Sequence, residues 1–381
     1  MKWVTNWANA ISIATNKPER YTKDITLRYP ILSVFNGTKI RITLDNFTGQ
    51  EPVYFDHVTV AKTGNKEYEI IPDTLMDITF HGSKSVTVEA GQTMVSDEID
   101  FKSVRNEKLT ISFYLSDFTS LRAATTTTGP LSKGYYSLHD QCENETLPLD
   151  LYKSTEWFYF LSDVDIYTED TNKSIICFGD SITAQNWPEE LQLLGLQADL
   201  PVSFPRKAAS GARILREYTN VIYESYGLKS DTRFIHDTNV PGADTVLVLE
   251  GINDIIHPVG VEVNVYRPWS DLPTVEEMIE GYRKLIKMAR DKGLKIYLCT
   301  IIPFKGWRTY APFREDMKQA INEWIRTTDE IDGYIDFDKD LDDSFAFKKE
   351  YDSGDHLHPS KAGYKQMAKT AFNTLKKYQE I

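Results

Sequence analysis

At 381 residues the chain is longer than one hydrophobic core ordinarily supports, so its size implies two domains. Its composition, 41% apolar, 26% charged and 12% aromatic, is that of a soluble globular protein and excludes wholesale disorder. A formal net charge of −13 leaves no basic stripe to release phosphate counterions, which argues against nucleic acid or an anionic membrane as a partner.

The chain opens Met1-Lys2-Trp3-Val4-Thr5-Asn6-Trp7, without the apolar stretch or small-residue cleavage site of a signal peptide, and nowhere do about 18 apolar residues run together. The expectation is a cytoplasmic protein as the chain stands, or a secreted one if a signal has been removed, with no membrane insertion. From Asp24 to about Asp165 short alternating segments follow one another: 39–44, 58–61, 85–88 and 108–115. Asn36-Gly37, Gly64-Asn65, His81-Gly82 and Ala90-Gly91 punctuate them at hairpin intervals, and the pattern predicts an all-β sandwich. Thr125 to Pro130 reads as a strand end running into a turn.

A polar joint at 168–173 separates this region from one of a different period. Apolar runs at Ile175 to Phe178, Thr245 to Leu249, Ile296 to Ile302 and Gly333 to Phe337 alternate with helical patterns at Thr274 to Lys292 and Ala311 to Arg326, and Thr274 to Glu277 fits a capping box. Alternating strands and helices predict a parallel sheet covered on both faces. The expected division is residues 1–170 and 171–381. Cys142, Cys177 and Cys299 are expected to be buried, unpaired thiols, and no Cys/His spacing suggests zinc.

Four blocks carry chemistry. Gly179-Asp180-Ser181-Ile182 places a serine just beyond the first apolar run, and Asp355-His356-Leu357-His358-Pro359 places a carboxylate and an imidazole three apart in a late loop. Serine needs a base to become nucleophilic, and an imidazole in that role needs a carboxylate on its other nitrogen to hold its tautomer. Ser181, His358 and Asp355 are therefore the candidate triad. The tetrahedral intermediate of acyl transfer needs fixed donors, which the backbone N–H groups of Ser181 and Gly211 and the side-chain amide of Asn253 can supply, from the blocks Ser210-Gly211 and Gly251-Ile252-Asn253-Asp254. A metal site formed with His356 is set aside, because no further carboxylate or cysteine stands nearby at ligand spacing. Asp180 is expected to shape the serine loop. Trp187 lines an acyl pocket or packs in the core, readings of equal weight. Trp269, Trp307 and Tyr310 fall in loops where sugar stacking competes with plain packing. Arg267 and Arg308 look too scattered to clamp an anion, and His257, four residues after Asn253, either borders the site or, on the plainer reading, is a surface-loop residue.

The order and spacing of the blocks resemble the SGNH (GDSL-type) hydrolases, and Trp3 to Ala8, Leu27-Arg28, Arg41, Asn46 to Gly49, Val95 to Asp97, Thr300 to Gly306 and Asp352 to Gly354 resemble its two-domain bacterial members with an N-terminal β-sandwich. The resemblance implies a flavodoxin-like three-layer α/β/α catalytic domain with a parallel sheet, preceded by a jelly-roll-like sandwich. It assigns Ser181 as nucleophile, His358 as base, Asp355 as its partner, and Ser181, Gly211 and Asn253 to the oxyanion hole. One departure stands out: Arg206 and Lys207 occupy a stretch where the family often has asparagine, and Ala212 replaces another common asparagine. Position 183 is Thr, so the Gly-x-Ser-x-Gly elbow of α/β-hydrolases is absent. The expected activity is hydrolysis of a small-molecule or saccharide ester through an acyl-enzyme, with no cofactor and no metal, most simply as a carbohydrate O-acetylesterase or short-chain esterase. Two other readings stay open: a lipase or thioesterase of longer chains, and a glycan-binding module on a hydrolase fold. Oligomeric state is not legible.

Overall fold

The computed structural model describes residues 1–14, 20–148, 153–220 and 222–381, and the chain divides into two compact units. The first comprises Met1–Ser174, Pro201–Pro205 and Val240–Gly242; the second comprises Ile175–Leu200, Arg206–Asn239 and Ala243–Ile381.

The first unit is all-β. One antiparallel sheet runs Lys2–Ala8, Leu161–Thr168, Gly37–Asp45, Thr93–Val95, with Ile99–Ser103 also paired to Gly37–Asp45. A second runs Lys153–Thr155, Gly134–Leu138, Ile25–Leu32, Lys108–Leu115, His57–Lys62, Met76–Asp77. Both feed one core, in which Ile40, Ile42 and Leu44 of the first sheet join Tyr29, Val58, Ile111 and Phe113 of the second. Simple alternation does not foretell that the polar positions of the second sheet are buried too. The segment from His139 to Asn144 covers them: Thr26 Oγ1 donates to the His139 carbonyl at 2.7 Å, and Arg28 Nη2 donates to those of Gln141 and Asn144 at 2.7 and 2.9 Å. With Nε on Ser112 Oγ at 3.2 Å and Nη1 on the Tyr68 carbonyl at 2.7 Å, all three Arg28 nitrogens donate, which is what makes a buried arginine tolerable.

In the second unit the strands are β1 (Lys173–Gly179, its first two residues counted with the first unit), β2 (Arg206–Ala208), β3 (Ala243–Leu249), β4 (Lys295–Cys299) and β5 (Gly333–Ile335). Their order is β2-β1-β3-β4-β5, and β1 with β2, β3 with β4 and β4 with β5 pair in parallel. This is the flavodoxin-like order, whose switch point falls between β1 and β3, where the crevice outside the strands' carboxyl ends is the natural ligand site. Ile175 to Phe178 and Val246 to Val248 are wholly buried, as strands covered on both faces must be. The helices are α1 (Trp187–Gln197), α2 (Ser230–Asp237), α3 (Ile252–Ile256), α4 (Val275–Asp291), α5 (Pro312–Thr327), α6 (Phe337–Leu341) and α7 (Lys361–Lys377). They form two packed groups, α1 and α6 on α7, and α2, α3, α4 and α5 together, the outer layers of an α/β/α stack. Among the described residues no helix is long and apolar enough to cross a membrane.

The expected capping box of α4 is present, with Glu277 N–H donating to Thr274 Oγ1 at 3.1 Å and Thr274 N–H to Glu277 Oε2 at 2.8 Å. Two strands end earlier than their apolar runs. The run to Ile302 leaves the sheet at Cys299 because Asn322 of α5 takes the Ile301 backbone, accepting its N–H and donating to its carbonyl, both at 2.8 Å. The run to Phe337 stops at Ile335 because Asp336 caps α6, its Oδ1 accepting from Lys339 N–H at 3.2 Å. All three cysteines are buried and unpaired.

Beside the covering segment of the all-β unit, His57 stands between two carboxylates, Nδ1 3.2 Å from Asp140 and Nε2 2.9 Å from Asp77. The bond to Asp140, with that to Asp77, outweighs partial burial and raises the imidazole to about 9. Folding therefore favours the imidazolium: its contribution is complete below 6.5, the ordinary value, declines as pH rises and is gone above about 9. The thermal transition of this unit is expected to fall in temperature between about pH 7 and 10, and His57→Gln to flatten that fall. Calorimetry over this range checks it, and parallel curves for the two proteins would refute the ion pair's role.

Candidate active site

β1 ends at Gly179, and the chain turns at once, with Ile182 N–H donating to Asp180 Oδ1 at 2.9 Å and Ala184 N–H to the Asp180 carbonyl at 2.9 Å. Asp180 thus shapes the serine loop as expected, and Ser181 sits beyond the strand with its side chain partly exposed. Its Oγ lies 3.1 Å from His358 Nε2, across 177 residues of sequence. His358 Nδ1 lies 2.7 Å from Asp355 Oδ2, so Nδ1 carries the proton that the carboxylate accepts and Nε2 presents its lone pair to the serine.

The three-residue spacing works because Asp355 closes its own turn. Its Oδ1 accepts from the N–H groups of Leu357 and His358 at 2.9 and 2.8 Å and from Ser353 Oγ at 3.0 Å. Upstream, Asp352 builds a second turn of the same kind, accepting from Gly354 and His356 N–H at 2.8 and 3.1 Å and meeting His356 Nδ1 at 2.5 Å. His356 is thereby occupied with Asp352. Burial raises the Asp355 carboxyl, but the backbone N–H of His358, its ring and the N–H of Leu357 outweigh it, leaving the group at about 2 and ionised at any working pH.

The other two blocks reach the same end of the sheet. Ala209 N–H donates to the Gly179 carbonyl at 2.9 Å, and Gly211 follows with φ +81°, where a β-carbon would stand 2.6 Å from Tyr226 Cγ. Only glycine meets both demands. Asn253 opens α3 behind Gly251, which has φ +109°. The Asn253 amide donates to the Ala212 carbonyl at 3.0 Å and, more weakly, to Asp180 Oδ2 at 3.3 Å. Asp254 accepts from Ile214 and Leu215 N–H at 2.8 and 3.1 Å, holding the strand-to-loop segment after Gly211. Ser181, Gly211 and Asn253 thus stand on loops joined by named hydrogen bonds.

Beneath them lies Arg233 of α2, which sequence reasoning passed over. It is buried, with Nη2 donating to the Gly179 carbonyl at 2.8 Å and to Glu250 Oε1 at 2.5 Å, and Nη1 to Asp237 Oδ2 at 2.7 Å and the Lys207 carbonyl at 3.3 Å. The one available signal was Glu250, an acid ending an otherwise apolar strand, which implies a buried cation somewhere. Burial pushes Asp180 up to about 7 and Asp254 to about 6, and pushes Glu250 well up as well.

Several sequence expectations resolve here. Arg206, the departure from the family pattern, is buried and holds the segment after the serine, Nη2 donating to Glu189 Oε1 at 3.0 Å and Nη1 to the Gln185 carbonyl at 3.3 Å. Trp187 is fully buried, edge-on to Phe337 at 5.5 Å, so it packs the core. His257 is not a surface residue: it is buried, and its Nδ1 meets the Tyr218 hydroxyl. It escaped the sequence because the aromatic cluster that covers it, Tyr218 and Tyr226, lies 31 or more positions upstream. Trp269 is half exposed.

Comparison with known proteins agrees with this architecture. The profile of the GDSL-like lipase/acylhydrolase family matches residues 177–366. No curated protein matches the chain in sequence. Among solved structures, a GDSL-like lipase from Bacteroides thetaiotaomicron is 16% identical with a TM-score of 0.35, covering 54% of this chain and 88% of its own. The psychrotrophic esterase EstA from Pseudoalteromonas sp. is 16% identical with a TM-score of 0.40, covering 55% and 100%, and the acetyl xylan esterase AlAXEase is 17% identical with a TM-score of 0.38, covering 53% and 99%. Through residues 177–366 the chain belongs to the GDSL-like lipase/acylhydrolase family, and its second unit is a carboxylic-ester hydrolase.

Proposed function

We propose that the enzyme hydrolyses short-chain esters, in particular O-acetyl groups on saccharides, through an acyl-enzyme on Ser181. The observation that carries the reading is the line from Ser181 Oγ through His358 to Asp355, with steps of 3.1 and 2.7 Å. Ser181 Oγ attacks the ester carbonyl as its proton passes to His358 Nε2, and the ionised Asp355 stabilises the imidazolium. The negative oxygen that forms is met by the backbone N–H groups of Ser181 and Gly211 and by one N–H of Asn253. That N–H is the one now 3.3 Å from Asp180, a carboxyl whose elevation to about 7 weakens it as a competing acceptor. Collapse expels the alcohol, which takes the proton from Nε2. Water then attacks the acyl carbonyl, gives a proton to Nε2, and the serine regains its hydrogen as the acid leaves.

A saccharide as the alcohol half fits the loops that follow Asn253, where Tyr266 and Trp269 expose ring surface. A second reading, hydrolysis of longer acyl chains, is favoured by Val261, Val263 and Val265 in the same loop, which are 59%, 77% and 63% exposed. A series of p-nitrophenyl esters from acetyl to palmitoyl separates the two: kcat/KM that rises with chain length refutes the short-chain reading.

Ser181→Ala is expected to lower esterase turnover by about 10³-fold or more and to abolish labelling by a fluorophosphonate. Wild-type turnover of p-nitrophenyl acetate by the mutant would eliminate Ser181 as nucleophile. Asp355→Asn, which keeps the shape but cannot hold the Nδ1 proton as an anion, is expected to lower kcat by about 10³ to 10⁴-fold. A loss of less than tenfold in steady-state assays would show that His358 is oriented by its own turn alone.

A further inference from the structure

The chain carries 56 acidic against 43 basic residues, yet around α3 three guanidinium groups have no carboxylate partner among the described residues: Arg267, Arg308 and Arg314. Their neighbour Arg213 is paired, its Nη1 3.1 Å from Asp271. Arg314 is buried and donates to the carbonyls of Ile255 and Pro258, so its role is to hold α3 and the loop after it. Arg267 and Arg308 have no such employment. The Arg267 guanidinium lies 5.1 Å from the centre of the Tyr223 ring, with its Nε buried and without a hydrogen-bond partner. Arg308 lies exposed over Trp307 at 4.6 Å, and the Trp307 indole N–H is likewise buried and unpartnered. His257 adds no charge to theirs: burial, then Arg213, Arg267, Arg308 and Arg314, hold that imidazole well below its ordinary basicity, so it stays neutral.

Both arginines are linked through packed neighbours to the loops of the proposed catalytic line. Tyr223 packs on Tyr226 at 5.2 Å, and Tyr226 is the ring against which Gly211 lies. On the other side Gly306, two residues before Arg308, lies against the His356 ring, a β-carbon there standing 2.7 Å from Cγ, and His356 is two residues before His358. Thr309 Oγ1 ties this second loop to α3 by donating to the Ile256 carbonyl at 2.9 Å. The buried, unpartnered Nε of Arg267 is costly to leave unmet, Arg308 offers its guanidinium openly to solvent, and the planar fork of each matches a carboxylate.

We propose that the ester substrate carries a carboxylate on its alcohol half, bound by Arg267 and Arg308, which makes O-acylated uronic acid residues the preferred substrate class. This deepens, and rests on, the reading of Ser181 as nucleophile. The test compares O-acetylated methyl glucuronoside with O-acetylated methyl glucoside, substrates that differ only in the carboxylate. Wild-type kcat/KM is expected to favour the glucuronoside by about a hundredfold, and the ratio to fall about tenfold in Arg267→Gln and likewise about tenfold in Arg308→Gln, the loss of one charge-assisted bond each. Arg267→Lys, which keeps the charge without the fork, is expected to restore only part of the ratio. A wild-type ratio near one, or a ratio that neither glutamine variant moves, overturns the proposal, and the exposed position of Arg308 keeps that variant foldable. Calorimetric binding of unacetylated methyl glucuronoside to Ser181→Ala and to the double variant Ser181→Ala/Arg308→Gln reads the anion site without turnover. Binding lost in the double variant supports it, and equal binding refutes it. Loss of all turnover in the wild-type protein, with uronoside binding intact, would strike the serine reading and leave the anion site standing.

Discussion

One buried guanidinium governs the working end of the catalytic unit. Arg233 donates to the carbonyl of Gly179 at the end of β1, to the carbonyl of Lys207 in β2, and to Glu250 immediately after β3. Three neighbouring strands thus finish on the same cation, at the point where the strand order reverses and the chain must leave the sheet in two directions. A buried charge is tolerated when it is paired and hydrogen-bonded, and here two carbonyls and two carboxylates take the Nη1 and Nη2 donors. Ser181, Gly211 and Asn253 each leave the sheet within a few residues of an atom that Arg233 holds. Their mutual placement therefore follows from one electrostatic centre rather than from three independent loops.

That centre also sorts the carboxyl groups by charge. Asp180 and Glu250 are fully enclosed near the guanidinium that already serves the low-lying Asp237, Asp254 is enclosed near Arg213, and burial lifts all three. Asp355 lies in an exposed turn, where three donors converge on one oxygen and hold it down at about 2. Around neutrality the imidazole of His358 consequently has one firmly ionised partner, while the acids beneath the serine lean toward hydrogen-bonding groups. Environments that drive like groups apart in this way are how one site assigns distinct roles to chemically identical side chains.

The sequence was readable where function depends on local geometry. The Asp355 to His358 spacing announces a turn that presents both side chains together, and the turn forms from hydrogen bonds no longer than three residues. The change from alternating to helical period marks the passage from the all-β unit to the parallel sheet, and the capping box of α4 lies where Thr274 and Glu277 put it. It was opaque where a distant residue takes over. Ile301 and Ile302 read as strand, but Asn322 claims the backbone. Arg28 and Ser112 lie on neighbouring strands and are both buried, because the segment around Gln141 covers them. His257 reads as a loop histidine until Tyr218 and Tyr226 close over it. Nothing in the sequence singles out Arg233, because within its own helix only Asp237 explains its burial.

The remaining problem is how a serine near the middle of the chain and a histidine near its end hold a 3.1 Å contact without a disulfide to join them. Each residue is followed within six positions by a helix, α1 after the serine loop and α7 after the histidine loop, and these two helices pack on each other. α6 completes the layer, Phe337 meeting Trp187 of α1 edge-on while α6 itself packs on α7. The histidine loop is closed locally as well, Ser360 N–H donating to the Tyr351 carbonyl at 2.7 Å and the Ser360 hydroxyl capping α7. The long-range distance is thus set by helix packing and the short-range orientation by turn hydrogen bonds. A side-chain substitution in the α1–α7 interface therefore acts on the Ser181–His358 distance even though it touches neither residue.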